Sequence, residues 1–179
     1  MTLDLDHLVD DCRAALRESR PQPALREVLE RLVRRPDKLL AALPAPRQQM
    51  TVVHVADDLT IFQLVNEPGF QFHPHNHGSW SAVALYAGRE RNTFYRRTAD
   101  GLVKAGGRDY EGGDVAVMGA ETIHAIENPL RTNNAALHVF AGNPFTALCA
   151  QWDPTTLEEA PFDAAYAQAA YPAAAAVAS

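Results

Sequence analysis

A chain of 179 residues, 47% of them hydrophobic, is long enough for one well-cored domain. Its net charge of −6 argues against nucleic acid or an anionic membrane as a partner, since both reward clustered Lys and Arg. No run approaches the ~18 consecutive apolar residues of a membrane span, the N-terminal MTLDLDHLVDD has no basic-then-apolar leader, and Cys12 and Cys149 fit no paired-cysteine pattern, so the cytoplasm is the expected compartment.

Residues 1–45 predict a helical lead-in. A first helix over residues 4–19 gathers Leu5, Leu8, Val9, Cys12 and Leu16 on one face. A second carries Leu25, Val28, Leu29, Leu32 and Val33 at i, i+3, i+4, i+7 and i+8, with Pro23 just inside its start and Pro36 ending it. A short third holds Leu39, Leu40 and Leu43 before Pro44 and Pro46. From about residue 50 to 145 the texture changes. The runs TVVHV, LTIFQLV, WSAVALYAG, NTFYRR, DVAVMG and AALHVFAG are short, rich in β-branched and aromatic residues, and followed by Gly, Pro, Asn or Asp. No long helix interrupts them, so an antiparallel sandwich or barrel is expected over 46–150 rather than a parallel sheet. Ala99-Asp100-Gly101 and Gly112-Gly113 predict turns. The basic run Arg89, Arg91, Arg96 and Arg97 reads as a solvated hairpin edge. In the extension 151–179, FDAAYAQAAY predicts a short helix and PAAAAVAS a fraying tail.

The chemistry concentrates in His73-Pro74-His75-Asn76-His77, which holds three of the seven histidines. Residues i and i+2 of a strand share a face about 6–7 Å apart, so two neutral imidazoles can converge on one cation. His75 and His77 are the pair expected to do so, with His73 one step out at the rim. His138 alternates with Ala136 and Phe140 on an inward face, and Trp80 is expected in the core or pocket wall.

Gly69, five residues, His75-Asn76-His77, three residues, Ser81, six residues and Gly88 resemble the first cupin motif, with Ser81 where that family often carries Glu. GGDVAVMGAETIHAIEN resembles the second, its closing His-(X)3-Asn matched by His124 and Asn128 without the usual Pro. The wider pattern, from His-x-His through Trp80, Ile123-His124-Ala125-Ile126-Glu127-Asn128-Pro129 and Ala136-Leu137-His138-Val139-Phe140, is similar to the thiol dioxygenases, the cysteine and 3-mercaptopropionate dioxygenase group. The resemblance implies a mainly β, cupin double-stranded β-helix (jelly-roll barrel) with N-terminal helices. It implies Fe(2+) held by His75, His77 and His124, with His138 as a catalytic histidine outside the ligand set. It further implies dioxygen and a small thiol as substrates and a sulfinate as product.

Two features depart from that pattern. The Ser and Tyr that flank the family's equivalent of His138 are Ala136 and Phe140 here, and such partners set imidazole orientation and proton supply. No Arg stands on the early strand where the family clamps a substrate carboxylate; His54 is the cationic-capable residue there, with Arg89 an outsider. Substrate contacts are therefore expected from His54, Trp80, Tyr86, Arg89 and Phe140, and the substrate is expected to be small or weakly charged. Three imidazoles without a carboxylate leave up to three exchangeable positions on an octahedral metal, and they also suit zinc and water activation. Zn, Ni or Mn are thus alternative occupants, and a non-thiol reaction or a non-catalytic binding cupin are alternative functions.

Overall fold

The computed structural model describes residues 4–43, 50–147 and 149–163. Three helices lead: α1 (Leu5–Arg17), α2 (Pro21–Val33) and α3 (Pro36–Ala42). Asp4 caps α1 by accepting from the Asp6 amide at 3.0 Å. Proline opens both α2 and α3 at the first turn, where its missing N–H costs nothing. Pro21 rather than Pro23 thus starts α2, and Pro36 starts α3 besides following the end of α2. The expected apolar faces form: Leu8, Val9 and Cys12 of α1 and Leu25, Val28, Leu29, Leu32 and Val33 of α2 are buried.

Eleven strands follow among the described residues: β1 (Met50–Val55), β2 (Thr60–Asn66), β3 (Gln71–His75), β4 (Ser81–Ala87), β5 (Arg89–Thr98), β6 (Gly101–Glu111), β7 (Val115–Met118), β8 (Ile123–Glu127), β9 (Asn134–Phe140), β10 (Ala150–Trp152) and β11 (Glu159–Pro161). They form two antiparallel sheets in the orders β1-β2-β9-β4-β7 and β11-β10-β3-β8-β5-β6. The pairings β2 with β9, β3 with β8, β4 with β7 and β5 with β6 are nested within one another. The chain is therefore one long antiparallel ribbon wound into a double helix of strands. This is the expected jelly-roll barrel, a double-stranded β-helix.

The helices cover one sheet from outside. Their apolar faces join Leu59, Ile61, Ala82, Ala84, Tyr86, Leu137 and Val139 in one cluster, and Arg26 Nη1 donates to the Val115 carbonyl at 2.9 Å. The alternate positions face the barrel interior, where Val83, Leu85, Tyr110, Ala116, Met118 and Ala136 pack together. β9 lies between these layers and is buried at every position. The turns expected at 99–101 and 112–113 close the β5–β6 and β6–β7 connections. β6 itself has no apolar alternation; its ladder to β5, from Arg89–Glu111 to Thr98–Gly101, holds it in place.

The last described segment is an addition to the barrel wall. β10 pairs with β3, and β11 with β10. Beyond Phe162 and Asp163, the stretches expected to form a helix and a frayed tail lie outside the described residues. No helix among the described residues is long and apolar enough to cross a membrane.

Gly88 joins β4 to β5 at φ +71°, and a Cβ there would lie 2.8 Å from Asn134 Cα. Gly88→Ala is expected to lower the unfolding free energy by about 2 kcal/mol or more through left-handed strain and the clash. Leu29→Ala, at a fully buried site on α2, is expected to cost about 2–5 kcal/mol. Urea midpoints measure both.

Candidate metal centre

His75 and His124 are direct partners in the β3–β8 ladder. Their rings lie side by side with centroids 4.6 Å apart. β3 ends at His75, so His77 is not its strand neighbour as the spacing suggested; it lies in the following loop. That loop brings His77 Nε2 to 3.1 Å from His75 Nε2 and 3.4 Å from His124 Nε2. One ligand atom from each of the three histidines lies within 4.8 Å of the others.

The other ring nitrogens decide the protonation. His75 Nδ1 donates to the His73 carbonyl at 3.0 Å, and His124 Nδ1 donates to Asn92 Oδ1 at 2.7 Å. Both partners are acceptors, so both Nε2 atoms present lone pairs to the centre. His77 Nδ1 lies 3.1 Å from Ser81 Oγ, a hydroxyl that can complete the same arrangement. Burial pushes the His77 imidazole down to about 3. It holds His75 and His124 well below the usual range, with the neighbouring imidazoles adding to the effect. The trio is therefore neutral at pH 7. Neutral lone pairs crowded this closely repel unless a proton or cation lies between them. The donor set could hold a divalent metal, with three nitrogen ligands and each ring oriented through its far nitrogen.

Phenylalanines wall the centre. Phe140 stands edge-on to His77 at 5.1 Å, and Phe62 stacks on Phe140 at 5.1 Å. Phe72 stands edge-on to His75 at 4.8 Å, and Phe94 lies 6.4 Å from His124. Phe145, after β9, approaches Phe62, and Phe162, after β11, approaches Phe72; both are exposed. His138 faces the same interior, stacked on Phe62 at 5.2 Å. Burial pushes it down to about 3, His75 adding to the effect, and its Nε2 has no hydrogen-bond partner. Ala136 packs into the interior apolar cluster instead of offering a hydroxyl.

Of the residues expected to touch substrate, only Phe140 reaches the centre. His54 Nε2 lies 3.2 Å from Arg13 Nη2 of α1. Tyr86 accepts from Gln63 Nε2 at 2.6 Å beneath the helices. The reason is the pleat: both belong to the layer that faces outward. Arg89 is paired with Glu111 at 2.6 Å on the β5–β6 hairpin, in a row of ion pairs that includes Arg91–Asp109. Trp80 packs, half-buried, against the helix-side core. Among the described residues, no Arg or Lys side chain shares a hydrogen bond or ion pair with His75, His77 or His124.

His73 is not at the rim. It is buried, with Nε2 3.2 Å from Gln151 Oε1 of β10, because the β3 register shifts between Phe72 and His75 and breaks the alternation. Asn76 fixes the same strand, its amide donating to the Ala150 carbonyl and its Oδ1 accepting from the Ala150 amide at 2.7 Å. Asn128 organises a loop: its Nδ2 donates to the carbonyls of Asn66, Glu67 and Thr132. Asn92 belongs to no motif; its one signal in the chain is the alternation Glu90-x-Asn92-x-Phe94 that starts beside Arg89 and Arg91.

No protein-family model matches this chain, and no curated protein matches it. Among solved structures, it is similar to an RmlC-like cupin family protein with a double-stranded β-helix fold from Methanocaldococcus jannaschii, at 15% identity over 57% of this chain and 89% of that one, with a TM-score of 0.47. It is also similar to a cupin superfamily protein from Desulfitobacterium hafniense, at 18% identity over 59% of this chain and 88% of that one, with a TM-score of 0.44. A third is a DMSP lyase from Ruegeria pomeroyi, at 14% identity over 59% of this chain but only 52% of that one, with a TM-score of 0.47.

His75→Ala or His124→Ala is expected to reduce bound metal from about one equivalent to background, read by elemental analysis of the purified protein. The metal-free protein is expected to be acid-sensitive. The unfolded histidines take up protons below about 6.5, while His77 and His138 resist until about 3 and His75 and His124 are held well below the usual range, so stability falls as pH drops below about 6.5. Each histidine held neutral contributes about 1.4 kcal/mol per pH unit to the loss. His138→Phe should reduce the slope of unfolding free energy against pH by about one proton, measured in urea titrations.

Proposed function

We propose that this protein is a ferrous-iron oxygenase that oxidises a small, weakly charged thiol to a sulfinate with dioxygen. The observation that carries the reading is the trio itself: three neutral imidazoles, each oriented through its far nitrogen, with no carboxylate among them. A divalent ion held by neutral ligands keeps its full charge, which favours an anionic thiolate beside it. Iron in this site would supply the redox chemistry by which thiolate and dioxygen combine, RS⁻ + O₂ → RSO₂⁻.

In this reading His75, His77 and His124 bind and orient. Phe62, Phe72 and Phe140 exclude water and accept the apolar part of the substrate. His138, neutral at pH 7, offers Nε2, the atom that has no other partner, as a hydrogen-bond acceptor for the bound thiol. With Arg89 tied to Glu111 and His54 tied to Arg13, neither clamps a substrate carboxylate. Thiols without a carboxylate should therefore be preferred.

Oxygen uptake by protein purified without air and loaded with Fe(2+) tests this. Cysteamine and an uncharged aryl-alkyl thiol should consume one O₂ per thiol at least tenfold faster than cysteine, 3-mercaptopropionate or mercaptosuccinate. Uptake at background for every thiol overturns the reading. It would favour a cupin-type metalloenzyme acting on another substrate, the reading to which Ala136 and Phe140 point by leaving His138 without hydroxyl partners.

A further inference from the structure

Among the described residues, the barrel interior holds one acidic group that the site described above does not use. Glu90 is 3% exposed, on the inward face of β5. Its Oε1 accepts from Asn92 Nδ2 at 2.9 Å, and Asn92 Oδ1 in turn accepts from His124 Nδ1 at 2.7 Å. Asn92 and His124 are as deeply buried as Glu90. The second carboxyl oxygen, Oε2, has no partner. We infer that Glu90 is a positioning residue for the metal centre, which selects the ligating tautomer of His124 by fixing the orientation of the Asn92 amide.

The reason lies in what each group can offer. An amide carries an acceptor on one side and donors on the other, so Asn92 alone could present either to His124. With Oδ1 toward the ring, His124 carries its proton on Nδ1 and aims a lone pair from Nε2 at His75 and His77. With Nδ2 toward the ring, Nδ1 must accept, the proton moves to Nε2, and ligation is blocked. A carboxyl group removes the ambiguity. As a carboxylate Glu90 has only acceptors, and when protonated on Oε2, the oxygen without a partner, its Oε1 still accepts; in both forms Nδ2 turns to Glu90 and Oδ1 to His124. The strand sets this chain of contacts, because Glu90 and Asn92 occupy alternate inward positions and Phe94, the next, is paired with His124.

The position is costly for packing alone. Burial pushes the Glu90 carboxyl up to about 7, against the opposing pull of the Asn92 hydrogen bond, and the interior beside it is otherwise apolar. An aliphatic side chain would satisfy the packing. Only an acceptor-bearing one holds the amide.

The inference rests on the three-imidazole metal site but on no particular reaction. Its test is the Co(2+) dissociation constant of the metal-free full chain, by chelator competition, together with ¹⁵N NMR of the imidazoles to read which His124 nitrogen carries hydrogen. Glu90→Leu is expected to weaken Co(2+) binding about 10–100-fold. It should also populate the Nε2–H form of His124, with thermal stability of the metal-free protein unchanged or raised. Glu90→Gln can turn its own amide and should give a mixture of tautomers with a smaller loss of affinity. Wild-type affinity with His124 wholly Nδ1–H in either variant overturns the inference, and Glu90→Gln carries the test if Glu90→Leu does not fold. Full variant effects in a protein inert toward every thiol would sink only the oxygenase reading. A wild-type chain that binds no Co(2+) would sink the metal site and this inference together.

Discussion

Everything at the centre depends on the register between β3 and β8. That ladder sets His75 directly opposite His124, and a two-residue slip would separate the rings by about 6–7 Å and leave His77 a single partner. The register is protected from both sides. β8 is held on its other edge by β5, from Arg91–Glu127 to Tyr95–Ile123. β3 is held on its other edge by β10 and by the paired bonds of Asn76 with Ala150. The imidazoles thus stand on four hydrogen-bonded strands, and only His77 comes from a loop. Ser81, at the start of β4, steadies that loop residue.

The same winding explains why neutral histidines tolerate their setting. Charged imidazoles would face full desolvation between two sheets, and the phenylalanines around them offer no compensating dipoles strong enough to hold a proton. Each ring instead meets one polar partner at its far nitrogen and turns the other inward. A site that is largely buried, uncharged and rich in lone pairs has one kind of natural complement, a small cation. Helices α1 and α2 contribute indirectly, by sealing the outer face of the sheet that carries His138.

Much of this was legible in the chain. Periodicity exposed the apolar stripes of α1 and α2, short β-branched runs exposed the barrel, strand spacing pointed to His75 with His77, and the resemblance to the two cupin motifs added His124. What stayed hidden has a common physical cause. Where a sheet is covered on both faces, apolar alternation no longer tells inside from outside, so Tyr86 looked like a pocket residue although it lies under the helices. The register shift in β3 hid the burial of His73, and glycine-rich, charged β6 lacked any pattern of its own. Glu90 and Asn92 were masked by Arg89 and Arg91 beside them, because a polar inward position reads as surface next to a charged neighbour.

The nesting of the ribbon also bears on how the centre comes into being during synthesis. Its first two imidazoles leave the ribosome well before the third, and β3 cannot find β8 until the whole β4–β7 segment between them has emerged. At roughly 5–20 residues per second, the nearly fifty residues between His77 and His124 correspond to several seconds of translation. Throughout that interval the nascent chain offers a two-histidine site of weak affinity and little selectivity. Metal capture by a complete trio would therefore be a late event, in which the identity of the ion would be settled by a folded barrel rather than by an emerging peptide.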